Sequence, residues 1–530
     1  MTAKYLFWII IFPVFLSSCC NEKRSVGREK KDSQIIRINY IYSPFSIDPR
    51  KGTDPITTVM NHMLYEGLTR LETDGTVSPA LAERIKISKD RKTYLFFLRK
   101  SLWSDGSSLT AYHFEAAWKK ALHPDFPSKA VHLLFPIENA AEAKTGLCSV
   151  DDIGVEAVDG QTLLVRLKRP TPYFLQLTAY PIYFPVPHNG DEVPHPNQQA
   201  DPLTNGPFHL SSWRDSDEII AIKNPYYWNT EEVRLDEIHA TIISDEATAL
   251  KLFDQGKIDY LGGLLSPLPL DALATLKKAK HLRQRAIDGT TFTALNVDRF
   301  PFNNVHIRKA FAFAIDKKEI VDNISQMFDD IASGPVPQVL KGVATTIDRE
   351  DNRVAALRHF ELGLQELGIR REEFPPVTYC YFNTELQRNL ALALQSQWKD
   401  VLGVEIKLET GDLKSHLATL RSQLFQMGQM SWIGQYHDRM CFLERFASKD
   451  VNSNYSRWEN RRYQQLLEDS FYKETVERVE LLDEAEQMLI EDMPIIPIYH
   501  YHAVYIKNPR LKGLVISPLG DVQFHKAFLD

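Results

Sequence analysis

Residues 377–382 read as a strand, residues 404–408 alternate apolar and charged as a second one, and the stretch between them has the marks of a helix. Thr384 followed by Gln387 forms a capping-box pattern, Leu390, Leu394 and Trp398 fall on one helical face, and Gly403 supplies a stop. Two strands joined through a helix pair in parallel, because only a crossover connection returns the chain to the same edge. This one unit argues against an all-α or all-β fold and predicts an α/β protein.

The rest of the chain fits that class. Residues 35–42 read as a strand, followed by a breaker run at 43–49. Helical spacing of Val59, Met63 and Tyr65 predicts a helix over 57–68. Ile85 and Ile87, a polar turn at 88–92 and the apolar run 94–98 predict a hairpin. Thr110 is placed to cap a helix carrying Phe114, Ala117, Trp118 and Ala121 on one face. A strand at 162–167 stops at Pro170 and Pro172, and the Pro- and Asn-rich stretch 181–207 marks a crossing between units. Short strands and a helix at 247–253 follow. Asn303 or Asn304 then caps a helix with Ile307, Ala310, Phe311, Ala314 and Ile315 facing inward, and an apolar strand at 495–506 precedes the tail. At 530 residues the chain exceeds what one hydrophobic core serves, so two or three compact units are expected.

Lys and Arg number 62 and Asp and Glu 69, interspersed, for a formal charge of −7. This is not the basic footprint of a nucleic-acid binder. Residues 5–16 form an apolar run too short to span a bilayer, preceded by Lys4 and followed by Leu16-Ser17-Ser18-Cys19. The pattern predicts a signal peptide over 1–18, with Cys19 resembling the lipidated residue of a bacterial lipobox. Residues 21–32 are charged and nearly free of hydrophobes, as suits a tether. Cys20, Cys148, Cys380 and Cys441 show no zinc spacing; one bridge, for instance Cys380 to Cys441, is left open.

The chain lacks Gly-x-Gly-x-x-Gly, a Walker A loop, a Gly-x-Ser-x-Gly elbow and His-Glu-x-x-His. His500 and His502 alternate on a strand and could share a metal, but a wet strand face explains them as well. Tyr42, Trp432, Tyr436 and Trp458 are candidates for lining a ligand cavity, although such aromatics more often fill a core.

Four stretches carry a resemblance to the family 5 extracellular solute-binding proteins, the receptors of bacterial peptide importers. They are Tyr65-Glu66-Gly67-Leu68 with residues 78–83; residues 98–106 with Thr110, Ala111 and Phe114; Thr204-Asn205-Gly206-Pro207-Phe208 with residues 224–228; and residues 301–305 with Arg308, Lys309, Ala310 and 314–316. The resemblance implies a bilobal, hinged periplasmic-binding-protein-like fold of type II with an extra inserted subdomain. It implies a lipidated tether at 19–34, lobe I at 35–75, 196–297 and 501–530, the inserted subdomain at 76–195 and lobe II at 298–500. Its motif glycines and Asp105 are read as structural turns.

It also implies a monomeric, non-enzymatic receptor without cofactor, anchored to a bacterial membrane through Cys19. Such a receptor takes a short peptide in the periplasm or at the cell surface and hands it to a membrane ABC permease with its ATPase subunits. Cell-wall peptides, a metal chelate, haem and a non-transport sensor or adhesion role are the alternatives. Oligopeptide-binding members carry an Asp for the peptide amine in the stretch matching residues 432–438; here Gln435 stands there, with Asp438 as a substitute. The basic residue for the peptide carboxylate is replaced by Gln429, leaving Arg421 or Arg439 for that role. The expected ligand residues are therefore Tyr42, Arg421, Trp432, Gln435, Tyr436, Asp438 and Arg439.

Overall fold

The computed structural model describes residues 33–187, 190, 193–196, 202–341 and 352–530. Two antiparallel strands of 13 residues, Arg283–Leu295 and Ile495–Lys507, are its longest and organise the rest. They lie side by side in an 11-stranded mixed sheet. On one side of the pair come Tyr260–Gly262, Ile35–Tyr40, Glu237–Ile242, Glu218–Lys223 and the edge strand Phe208–Arg214. On the other come Met427–Ile433, Val377–Phe382 and the edge strand Ile406–Gly411, and the short strand Asp330–Ile331 pairs with Ile495–Lys507 off this path.

The long pair does not keep one register. Residues 283–286 pair with 502–505 and residues 290–294 with 495–500, and the ladder shifts between Ala286 and Thr290. Such an irregularity bends and twists a strand locally. It divides the molecule: the first set of pairs belongs to the half containing Ile35–Tyr40, the second to the half containing Val377–Phe382. This is the expected bilobal α/β fold, with the lobes sharing strands.

The strand–helix–strand unit forms as predicted. Val377–Phe382 and Ile406–Gly411 are parallel, and Glu385–Leu402 crosses between them with Leu390, Leu394 and Trp398 buried. Thr384 accepts from the Gln387 N–H, and Gly403 ends the helix at φ +72°. A separate four-stranded antiparallel sheet contains the hairpin Ala82–Ile87 and Thr93–Leu98. Against it packs Ala111–Leu122, burying Phe114, Ala117, Trp118 and Ala121, with the Trp118 indole N–H donating to the Tyr183 carbonyl at 2.9 Å. His113 Nδ1 accepts from the Thr110 N–H, completing the reciprocal cap with an imidazole.

The motif residues hold crossings together. Asp105 Oδ1 accepts from the N–H and the hydroxyl of Ser107, which makes the turn at Gly106. Beside it, the Ser104 N–H donates to the Thr204 carbonyl at 2.8 Å. Gly206 lies against the backbone of Met63–Tyr65, where a Cβ would stand 2.6 Å from main-chain atoms. One helix is shorter than its spacing suggests: Pro55–Leu64 ends with Tyr65 extended. Gly67 then passes 2.6 Å, measured from where its Cβ would be, from the Thr178 carbonyl, so the chain leaves helical geometry to make that approach.

Cys380 and Cys441 are free and buried, so the bridge left open above does not form. His500 is buried and bonded to Thr290 Oγ1 at 2.9 Å, so its strand face is not wet. Among the described residues no group of three His, Cys, Asp or Glu could hold a metal. Trp458 is core, its indole donating to Asp492 Oδ2 at 2.8 Å.

Candidate ligand cleft

The loop leaving Met427–Ile433 is fastened to the point where the long strands break register. The Gly434 N–H donates to the Asp288 carbonyl at 2.6 Å, and His437 Nδ1 lies 2.7 Å from Asp288 Oδ2. Asp288 is fully buried, and burial pushes its carboxyl above the usual range. The imidazole in turn packs against Gly75, in the turn that joins Thr69–Leu71 to Val77–Pro79. A loop of one lobe thus rests on the junction itself and touches the other lobe.

From that support residues 432–439 fan out. Gln435 Oε1 lies 3.0 Å from His132 Nε2, and its backbone N–H donates to Cys441 Sγ at 3.3 Å. The Gln435 side chain also reaches the Tyr180 hydroxyl. Tyr436 is buried, its ring stacked on Tyr173 with centroids 4.2 Å apart and planes 11° from parallel. Its hydroxyl donates to Glu444 at 2.8 Å, and burial pushes that carboxyl up to about 7. The Trp432 ring carries the Arg445 guanidinium over its face at 3.6 Å.

The charged candidates in this loop already have partners. Arg478 grips Asp438 with two nitrogens, at 2.6 and 2.9 Å, a bidentate pair in which both side chains are largely buried. Arg439 pairs with Asp483 at 2.5 Å and donates to the Leu340 carbonyl at 3.2 Å. Arg421 is exposed at the end of the helix Leu413–Arg421 and makes no ion pair among the described residues. The Tyr42 hydroxyl donates to Asp54 at 3.4 Å, and its ring stacks on Phe45; neither contact reaches the loop. Gln429 is buried, its amide nitrogen 3.4 Å from Ser431 Oγ.

The structure therefore gathers Gln435, Tyr436, Asp438 and Arg439 on one loop, with Trp432 near the end of the strand that leads into it, and leaves Tyr42 and Arg421 elsewhere. It adds His132, Tyr173, Tyr180, Asp288 and Arg478, which come from distant segments and show no local signal. A second set of contacts lies nearby: Arg169 pairs with Glu468 and lies 3.7 Å over the Phe471 ring, while Arg91 donates to the Lys473 carbonyl.

The chain is similar to known proteins over nearly its whole length. Residues 76–454 match the model of the bacterial extracellular solute-binding proteins, family 5 Middle. The oligopeptide-binding protein OppA of Bacillus subtilis is 36% identical, with 98% of each chain covered. Among solved structures, the murein tripeptide-binding protein MppA of Escherichia coli superposes with a TM-score of 0.80 at 25% identity, covering 94% of this chain and 99% of that one. Listeria monocytogenes OppA bound to peptide gives 0.76 at 26% identity, covering 94% and 99%. With strands shared between lobes, a loop seated on their junction and likeness along nearly the whole body, the chain belongs to the bacterial extracellular solute-binding proteins, family 5.

Proposed function

We propose that the chain is the substrate-binding component of an ABC importer, which takes short peptides outside the cytoplasm and delivers them to a membrane permease and its ATPase subunits. The observation that carries this reading is the loop 432–438, seated on the strand junction by Asp288 and facing His132, Tyr173 and Tyr180. A ligand that bridges these groups draws the lobes together, and hinge closure of this kind is how two-lobed receptors report occupancy. The relative in B. subtilis named as oligopeptide-binding supports peptide as the ligand class. Backbone recognition suits such a task, because it gives affinity while leaving side-chain identity free.

Mass spectrometry of what co-purifies with the protein, followed by calorimetry with linear peptides and with cell-wall tripeptides, tests the ligand class. Uptake of a labelled peptide in cells with and without the permease tests delivery; uptake unaffected by deleting the receptor overturns it.

The receptor works as a monomer held to the membrane by a lipid on Cys19. Cys19 lies outside the described residues, and the support is the sequence Leu16-Ser17-Ser18-Cys19 alone. Two or more acyl chains anchor a protein stably, whereas one binds reversibly. Intact-mass measurement of membrane-extracted protein should show loss of residues 1–18 and an added diacylglyceryl group. A soluble mature form beginning at another residue refutes the anchor.

A further inference from the structure

Asp521 is a buried carboxyl with no countercharge. It is 6% exposed, it makes no ion pair with any described residue, and its carboxyl has only the Ser517 hydroxyl as a hydrogen-bond partner. The residue sits in the C-terminal segment, in a tight turn where the Ser517 N–H donates to its carbonyl at 2.9 Å and its own N–H donates to Ser517 Oγ at 3.3 Å. That turn is tied to the strand junction, since the Pro518 carbonyl accepts from the Asp288 N–H at 2.7 Å.

Asp521 lines a small void with Gln176, Tyr180, Gln523 and His62, and the rest of its wall is largely the apolar cluster of Leu71, Ala179 and Leu519. Its room is that of about one water-sized group. The Gln176 amide oxygen is buried without a hydrogen-bond partner, so a second acceptor beside this void is unsatisfied. Tyr180 joins the void to the loop described above, because its hydroxyl lies in the field of Asp521 and within hydrogen-bonding reach of Gln435. Among the described residues no free cation lines the void. Burial and the nearby Arg70 push His62 down to about 4, so it is neutral at ordinary pH, and Arg70 itself is engaged by Glu66 and Tyr227.

Burial without a countercharge pushes the Asp521 carboxyl up to about 7. Beside it and the unsatisfied Gln176 oxygen, a compact cation with three N–H donors is the group that would hold this carboxyl ionised and satisfy both acceptors. We propose that Asp521, with Gln176 and Tyr180, forms a pocket for a primary ammonium, and that an amine of the transported peptide occupies it when the lobes are closed. This rests on the peptide-receptor reading. It gives the negative charge for the ligand to the C-terminal segment of one lobe, where Gln435 of the other lobe supplies a neutral amide. Asp438, the alternative acid, has both oxygens taken by Arg478.

The test is calorimetry with a panel of tri- to pentapeptides, each with a free amino terminus and in N-acetylated form, on the wild-type protein and on Asp521→Asn. The substitution keeps shape and removes charge. Wild type should prefer the free amine by about 30-fold or more, the usual cost of leaving a buried charge unpaired, and Asp521→Asn should lose most of that preference. Acetylated and free peptides binding wild type equally overturns the site, and this result needs no variant to fold. A preference that survives in folded Asp521→Asn overturns it too. If no peptide binds wild type at all, the receptor reading falls and takes the site with it. Peptides that bind without regard to Asp521 sink the ammonium pocket alone.

Discussion

Glu444 lies beside the stacked Tyr173 and Tyr436, and its carboxyl is held near 7 against an ordinary glutamate value of 4.5. Between those values the folded chain keeps a proton that the unfolded chain has released, so stability falls as pH rises through that window. Glu444→Gln removes the dependence while keeping an acceptor for the Tyr436 hydroxyl. The variant should be more stable than wild type at pH 8 by about 1–3 kcal/mol, and the gap should shrink to under about 1 kcal/mol by pH 5. Urea melts at both pH values check this, and an equal offset at the two would count against the buried acid. Gly206 is a second single-residue case. A side chain there meets backbone, which cannot step aside as a rotamer can, so Gly206→Ala should cost about 3 kcal/mol or more in the same melts. The sequence marks Gly206 through its motif, but only the fold shows the main chain of Met63–Tyr65 against it. Asp438 shows the opposite limit: spacing brings it beside Gln435, while the partner that occupies it, Arg478, lies 40 residues along the chain.

Among elements, the contacts from the segment carrying Arg169 and Tyr173 to the Tyr436 loop and to the helix Arg461–Ser470 with Phe471 at its end should act as a clasp across the cleft. A partly exposed ion pair and a cation over a ring are each worth about 0.5–1 kcal/mol. Arg169→Ala removes both and biases the equilibrium toward the open form. Peptide affinity should fall by about five- to tenfold without loss of folding. In small-angle scattering the unliganded variant should show a larger radius of gyration than wild type, with the two converging at saturating peptide. Identical radii in both states would falsify the clasp. Elements whose signals lie within one turn of chain are legible in the sequence: the caps at Thr110 and Thr384, a cap at one of Asn303 and Asn304 (the fold uses Asn304), the hairpin around 85–98 and the parallel unit from 377 to 408. The clasp is not, since ring stacking over a sequence distance of 263 residues leaves no periodicity to read.

For the molecule as a whole, family membership makes the chain an extracytoplasmic solute receptor, and its lobes are of the size that ordinarily melts as separate domains. The two 13-residue strands argue otherwise. Each supplies core residues to both halves: Phe292 and Ile495 join the cluster of Ile36, Ile38 and Tyr40, while Leu295 and Ile498 join that of Val377 and Leu390. Loss of either half therefore strips the partner half of its own central ladder. The register shift at Ala286 to Thr290 works as the soft point of a continuous beam, bending under ligand load without becoming a line of fracture. Scanning calorimetry should accordingly record one transition whose calorimetric and van't Hoff enthalpies agree, and two resolved peaks would contradict it. A receptor built this way has no half-melted form in which one lobe holds a peptide while the other unravels, so cargo and fold are lost together.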